Sequence, residues 1–531
     1  MDYNKVLSSG AKRYRGPVLR FADRDLSLTY GDLLDLSGPY CALYREKGLS
    51  AGSRVALWMG NVPEYVLAYV AALRMGVVTV PLSVYERLDR VQSAADACGC
   101  GLLLYDSRNR HVRDALGAAP VPDGWMDAAA FAGDCAVSLP PYPAGETFAY
   151  DWGTDEEYCI MHSSGSTGQR KAIRKTIVST LGNMHTVRAL RLMIGLLRRL
   201  LPPFDLYNVC PFYHNTGNCM LMLVLTGMYF KQIVTENFNP LHAAQYLARE
   251  RPNVWLGTAS MLYRVCCANP AADLVYPSMI ITMGEALSDN VIRTLSAQKG
   301  SELLMSFYGT TEAGYISSLI CPLGKQSLRF RVISRLLLRL DLGGMADAPG
   351  TRTDHSSELG RISKGVEVVV RGEDGTPLPD GAVGEIVVKK EGAQRVYLDA
   401  ESQADGLSTG DLGYKRGRKL YLLGRKKELI IRSGENIIPS EIEELLLACP
   451  GVADAVVCGV PSPDHGEDVC ACLQPGDPPP DLEAVRAQLR DCLPGFMQPQ
   501  HYLIRDSFPC NASGKTDRRR VAAEAKAALG L

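Results

Sequence analysis

Ser163-Ser164-Gly165-Ser166-Thr167-Gly168-Gln169-Arg170-Lys171 follows directly on a short apolar run, Tyr158-Cys159-Ile160-Met161, with only His162 between them. The apolar run reads as a buried strand, so the small-residue stretch leaves a strand end, where phosphate-binding loops sit. Glycine lets backbone amides converge on an anion, the four hydroxyls of Ser163, Ser164, Ser166 and Thr167 are donors, and Lys171 adds a point charge. The same composition also makes ordinary surface turns. A Walker loop does not fit, because Gly165 and Gly168 are too close and Lys171 follows no glycine. Gly514-Lys515-Thr516 fails as well, since Pro509 stands where the first Walker glycine belongs.

At 531 residues the chain is too long for one core. Apolar residues make up 46% and charged residues 22%, which is ordinary for a globular protein. A net charge of -1 argues against nucleic-acid binding. The 16 cysteines show only short pairs such as Cys98/Cys100, Cys266/Cys267 and Cys470/Cys472, without zinc-type C-x-x-C spacing. Reduced thiols and a cytoplasmic location are expected. The polar start Met1-Asp2-Tyr3-Asn4-Lys5 lacks a secretory h-region, and the most apolar run, 219–230, is too short to span a bilayer.

From residue 17 to about 145, strand-like runs at 55–59 and 77–81 alternate with a helical pattern at 62–73, which predicts α/β layers around a largely parallel sheet. The alternation resumes from 155 to about 320. After Gly360 short strands at 366–370 and 384–388 surround the turn Gly372-Glu373-Asp374-Gly375, predicting a small sheet or barrel. Beyond about 425, a helix at 440–448 and a strand at 455–460 predict a compact α+β unit. Arg-rich amphipathic stretches at 188–201 and 329–340 read as helices with solvated arginine faces, with a membrane-surface or substrate-channel helix as the alternative.

Further motifs stand in a fixed order downstream: Pro211-Phe212-Tyr213-His214-Asn215-Thr216-Gly217, Gly284-Glu285-Ala286-Leu287, Phe307-Tyr308-Gly309-Thr310-Thr311-Glu312, Ser408-Thr409-Gly410-Asp411-Leu412, Gly424-Arg425-Lys426-Lys427-Glu428-Leu429, Ser433-Gly434-Glu435-Asn436-Ile437 and Pro509-Cys510-Asn511-Ala512-Ser513-Gly514-Lys515. Each alone is a common turn or a solvated charge. In register with the opening loop they resemble the adenylate-forming (AMP-binding) superfamily, in its acyl- and aryl-CoA synthetase branch. The likeness runs from Leu28-Thr29-Tyr30-Gly31-Asp32-Leu33 to Gly514-Lys515.

The resemblance implies a large N-terminal domain of layered α/β sheets with a small β-barrel-like subdomain (1–424). A small mobile α+β C-terminal domain (425–531) follows it. It also implies ATP, Mg²⁺ and coenzyme A as cofactors. Ser163, Ser164, Gly165, Ser166, Thr167, Gly168 and Lys171 would grip the ATP phosphates. Gly284, Glu285, Ala286, Tyr308, Gly309, Thr310 and Thr311 would enclose the adenine and AMP, and Glu312 would hold the metal. Asp411 and Arg425 would bind the ribose, Lys427 would be the hinge, and Ser433 and Gly434 would line the CoA path. Lys515 would be the catalytic lysine, and His214 would lie beside the acyl carboxylate.

The implied reaction is adenylation of a hydrophobic carboxylic acid, release of pyrophosphate, and transfer of the acyl group to CoA. A carrier-protein thiol as acceptor and a non-catalytic acyl- or nucleotide-binding relative are the alternatives, and a homodimer is among the assemblies left open. The sequence departs from the family pattern at Ala286, where proline is frequent, and at Ile431, where aryl-specific relatives place a lysine. Arg170 and Ala172 also flank the loop lysine in place of proline and glycine, with Arg174 and Lys175 beyond. Those extra charges suggest tighter phosphate binding or a stiffer loop.

Overall fold

The computed structural model describes residues 1–117, 120–132, 148, 150–162, 171–181, 191–192, 194–199, 204–268, 274–347, 357–390, 406–511 and 515–531. Its first sheet has six strands in the order Trp125–Asp127, Leu102–Tyr105, Arg54–Trp58, Val78–Pro81, Glu157–His162 and Ala172–Thr176. All pairs are parallel except the last. The runs expected at 55–59 and 77–81 are thus central strands, apolar on both faces because helices cover both.

The second sheet carries the parallel strands Leu19–Phe21, Lys231–Val234, Asp205–Asn208, Val254–Gly257, Met279–Met283 and Leu303–Thr310 side by side. Helix Pro63–Met75 is buried from Pro63 to Arg74, and it shares one apolar core with both sheets. A helix apolar all round belongs inside a protein. Glu64 on this helix is fully buried, and it is paired with Arg108 at 2.8 Å and Arg24 at 3.3 Å. A buried carboxylate is tolerated only when paired in this way.

One expectation is corrected. The strands after Gly360 do not close into a barrel. Val366–Arg371, Gly384–Lys390, Leu407–Arg416, Lys419–Arg425 and Ser357–Ile362 line up in sequence and extend the second sheet through Gly314–Pro322. Register breaks between Glu358 and Gly360, Glu385 and Val387, and Leu412 and Gly413 twist this ribbon. Among the described residues Val366–Arg371 pairs only with Gly384–Lys390 as a ladder, so it stays an edge strand. Short alternating strands look the same in a curled open sheet and in a barrel, so pattern alone could not separate the two.

A separate five-stranded sheet forms the C-terminal domain, with Glu435–Ile437, Ile430–Arg432, Gly466–Pro475 and Val452–Ser462 in order and His501–Ile504 on Gly466–Pro475. Helices Pro439–Leu447 and Leu482–Cys492 cover one face, and Arg518–Leu529 covers the other. The second arginine-rich stretch is the helix Leu328–Arg339, whose Phe330, Ile333 and Leu337 are buried while Arg329, Arg331, Arg335 and Arg339 are exposed. The first, 188–201, lies partly outside the described residues. Among the described residues no helix is long and apolar enough to cross a membrane.

Candidate active site

Four adjacent parallel strands, Asp205–Asn208, Val254–Gly257, Met279–Met283 and Leu303–Thr310, end on the same side. The segments that follow them therefore meet: 209–214, 258–260, 284–286 and 311–313. Carboxyl ends of parallel strands are where ligands bind in sheets of this type. In the first segment the chain folds back so tightly that a Cβ on Gly217 would stand 2.0 Å from the Pro211 carbonyl oxygen. His214 is the N-cap of helix Asn215–Leu225, with its ring 5.0 Å from that of Tyr213.

The Gly284-Glu285-Ala286 loop is clamped from the neighbouring strand end. Ser260 donates its backbone N–H and its hydroxyl to the Glu285 carboxylate, at 2.8 and 3.0 Å. Glu285 therefore positions the loop, and Ala286 is exposed beside it. The Ser260 clamp was not read from the sequence. Its signal was the polar Thr258-Ala259-Ser260 following an apolar run, which mirrors the other loops.

Asp411 forms the second corner. It lies on Leu407–Arg416, opposite Arg425 in register on the next strand. Arg425 Nε meets Asp411 Oδ1 at 2.7 Å, and the Tyr308 hydroxyl donates to Oδ2 at 2.6 Å. Burial raises the Asp411 pKa, against the pull of Arg425 and Tyr308. Tyr308 was read as an adenine-side backbone position; its hydroxyl also orients the carboxylate. A nearly buried acceptor-only group of this kind suits a pair of ribose hydroxyls. Beside it, a Cβ on Gly309 would lie 2.2 Å from the Gly314 carbonyl oxygen, so the hairpin closes only over glycine.

Lys515 reaches this site from the other domain. Its Nζ donates to the Gly284 carbonyl, within electrostatic reach of Glu285, Cys210 and Asp411. Burial lowers the Lys515 pKa, with Arg425 adding to the effect and Glu285 opposing it. Lys515, Gly284, Glu285, Tyr308, Asp411 and Arg425, far apart in sequence, are thus brought together.

Gly284 has φ +83°, and a Cβ there would stand 3.2 Å from Lys515 Nζ. Gly284→Ala is expected to destabilise the protein by about 1 kcal/mol or more. It should also slow ATP–pyrophosphate exchange by roughly 10–100-fold, because it displaces the ammonium. Thermal melts and isotope exchange on one preparation check both.

Other expected residues take different places. The phosphate loop 163–170 lies outside the described residues, and Lys171 at its end is exposed. Arg174 pairs with Glu157 at 3.2 Å, and Lys175 is buried, donating to the Thr311 carbonyl at 3.1 Å. These two cations stiffen the strand after the loop and brace the 311–313 turn. Glu312 stands in that turn, between Leu303–Thr310 and Gly314–Pro322, with Thr310 Oγ1 accepting from the Ala313 N–H. Ser433 and Gly434 have φ +51° and +86° as the two-residue turn between Ile430–Arg432 and Glu435–Ile437, as a type I′ hairpin requires. This turn is exposed and bonds to His465 within the C-terminal domain, so it is not among the residues around Lys515.

The domains meet along helix Ala259–Ala268. Tyr263 donates to the Ala453 carbonyl at 2.5 Å, and Arg264 reaches Thr516 Oγ1 at 3.1 Å and the Cys510 sulfur. A crevice of about 570 Å³ opens here, lined by Pro211, Tyr213 and Met261 on one side and Asp454, Phe508 and Cys510 on the other. Burial lifts the Asp454 pKa to about 6, with Glu443 and Glu285 adding and Arg264 opposing. The folded state therefore binds more protons than the unfolded between about pH 4 and 6, and stability falls as pH rises through that window. Asp454→Asn is expected to raise stability at pH 7, by up to ~3 kcal/mol, and to leave it unchanged near pH 3. Melts at the two pH values measure this.

The AMP-binding enzyme family model matches residues 9–398, and that of the AMP-binding enzyme C-terminal domain matches 441–515. The chain belongs to this family: it is an adenylate-forming ligase, of the kind that activates an acid and passes it to a thiol. It is 24% identical to the long-chain-fatty-acid–CoA ligase FadD13 of Mycobacterium tuberculosis over 503 residues, 92% of both chains. It is also 24% identical to a D-alanine–D-alanyl carrier protein ligase of Bacillus licheniformis, covering 96% of both. The fold resembles ATP-bound MatB from Rhodopseudomonas palustris with a TM-score of 0.75 at 24% identity, covering 99% of each.

Proposed function

We propose that this chain is an ATP-dependent acid–CoA ligase acting on a hydrophobic carboxylic acid. The observation that carries the reading is the approach of Lys515 to the Gly284 carbonyl beside the Tyr308–Asp411–Arg425 corner. Asp411 would accept from the two ribose hydroxyls, with Arg425 covering ribose and phosphate. Tyr308, Gly309, Thr310, Thr311 and the Gly284-Glu285-Ala286 loop would enclose the adenine and α-phosphate. The loop from Ser163 to Lys171 would hold the departing pyrophosphate.

The acid's carboxylate attacks the α-phosphorus, pyrophosphate leaves, and the Lys515 ammonium meets the charge that develops between carboxylate and phosphate. The apolar helix Asn215–Leu225, with Met220 and Met222, would wall the acyl pocket beside His214. The Glu312 carboxylate is a hard oxygen donor in a turn next to Thr311, which fits Mg²⁺. A magnesium ion there would screen phosphate charge. Glu312→Gln should raise the Mg²⁺ concentration needed for half-maximal exchange by at least the roughly 10–100-fold that changes around a metal ligand cause. A magnesium titration at saturating ATP reads it, and an unchanged midpoint would remove Glu312 from the assignment.

The domain boundary is proposed at 424/425, with rotation about Lys427. Rotation would withdraw Lys515 together with Asp454, Phe508 and Cys510, which form the C-terminal wall of the crevice. That opens a route for the thiol past Pro211 and Tyr213. It would also bring the Ser433-Gly434 turn to the pantetheine path.

The 15 cysteines of the described residues are all free, in keeping with a reducing, cytoplasmic setting. The exposed arginine row on Leu328–Arg339 favours a second acceptor, an acidic carrier protein. ATP–pyrophosphate exchange over a broad acid panel, with CoA, holo-carrier or neither, and mass spectrometry of products, decides among these. Absence of exchange with every acid would leave only a non-catalytic binder.

A further inference from the structure

Cys458, Cys470 and Cys472 share one face of the antiparallel pair Val452–Ser462 and Gly466–Pro475. Cys458 and Cys470 stand opposite each other in register, and Cys472 lies two residues further along the same side. All three are buried, and their sulfur atoms lie within 4.8 Å of one another. Phe508, together with Val521 and Ala525 of helix Arg518–Leu529, makes the surroundings apolar. The 470/472 spacing matches no metal motif in the sequence, because the third sulfur comes from the neighbouring strand. Hydrogen bonding within the triad holds the Cys458 thiol below its usual range and, together with burial, pushes those of Cys470 and Cys472 up.

We propose that Cys458, Cys470 and Cys472 form a three-thiolate site for a soft cation, Cu(I) in preference to Zn(II), inside the C-terminal domain. All-sulfur donor sets select these ions, but structural zinc almost always takes four ligands. Among the described residues no fourth Cys, His, Asp or Glu joins the three. Metal–sulfur lengths of about 2.3 Å place trigonal sulfurs roughly 4.0 Å apart, so small side-chain rotations close the site. On binding, each liganding S–H releases its proton to solvent and its sulfur lone pair bonds copper, and nothing is oxidised or reduced. The cation ties together the two longest strands of the domain, and the site stands apart from the residues around Lys515.

The test uses the full chain, reduced and handled without oxygen. One equivalent of Cu(I) should survive desalting against a weak chelator and raise the melting temperature. X-ray absorption should show three sulfur neighbours and no nitrogen or oxygen. Cys470→Ser should lose the retained equivalent, whereas Cys492→Ser, an exposed cysteine, should keep it. The absorption measurement needs no variant, so a folding failure in Cys470→Ser leaves the test intact. Fewer than three sulfur neighbours, or undiminished copper in a Cys458→Ala/Cys470→Ala/Cys472→Ala protein, overturns the site. One equivalent of zinc held in preference to Cu(I) overturns the choice of metal.

Discussion

Lys515→Ala is expected to slow ATP–pyrophosphate exchange by about 10²–10³-fold or more, the loss seen when one preorganised donor to a developing oxyanion is removed. Thioester formation from supplied acyl-AMP should be largely retained, because the proposed rotation would take the lysine out of the site before the thiol arrives. Equal loss of both half-reactions would sink the assignment. The pH profile gives an independent readout. Burial lowers the Lys515 pKa below the ordinary lysine value. The adenylating half-reaction should therefore decline on the alkaline side earlier than an ordinary lysine would allow, while the thioester half-reaction should lack that limb. The effect on stability has the opposite sign: the folded state binds fewer protons than the unfolded between the two pKa values, so this group's contribution rises with pH.

Asp411→Ala should raise the KM for ATP by at least about 100-fold, since hydrogen bonds to a charged group are worth roughly 1.5–3 kcal/mol each and two are proposed to the ribose. Arg425 and Tyr308 would also lose the acceptor that orients them. Asp411→Asn retains the shape and one acceptor oxygen, so its penalty should be smaller. A 2′,3′-dideoxy analogue of ATP separates binding from structure: it should bind wild type and Asp411→Ala about equally. Continued strong discrimination against the analogue by Asp411→Ala would place the ribose elsewhere. Burial raises the Asp411 pKa. ATP binding should accordingly weaken as pH falls through that raised value, in a range where a solvated aspartate is still charged.

Much of the architecture was legible in the sequence, for particular reasons. The runs at 55–59 and 77–81 are apolar at every position but Thr79, as suits parallel strands covered on both faces. The curled sheet after Gly360 was less legible, since barrel closure depends on accumulated twist and three register breaks rather than on alternation. At the site, Glu285 and Tyr308 were named, but their partners stand on other elements, Ser260 at the start of helix Ala259–Ala268 and Asp411 on strand Leu407–Arg416. Arg174 and Lys175 read as charge that tightens phosphate binding or stiffens the loop, and the acceptors that favour stiffening, Glu157 and the Thr311 carbonyl, lie on other segments of the chain.

The order of motifs from Ser163 to Lys515 was enough, by itself, to carry the resemblance to the family, and that resemblance implied the two-part architecture and the residue types available for adenylation. The motifs are local turns in a fixed order along the chain, which sequence displays directly. Only the tertiary structure decided which groups share a volume: Lys515 with Gly284 and Asp411, Asp454 with Arg264, and Cys458 with Cys470 and Cys472. The physical reason is that strand order and domain docking set these distances, and neither leaves a periodic trace in sequence. Pairing energies, pKa shifts and sulfur clusters depend on distances through space.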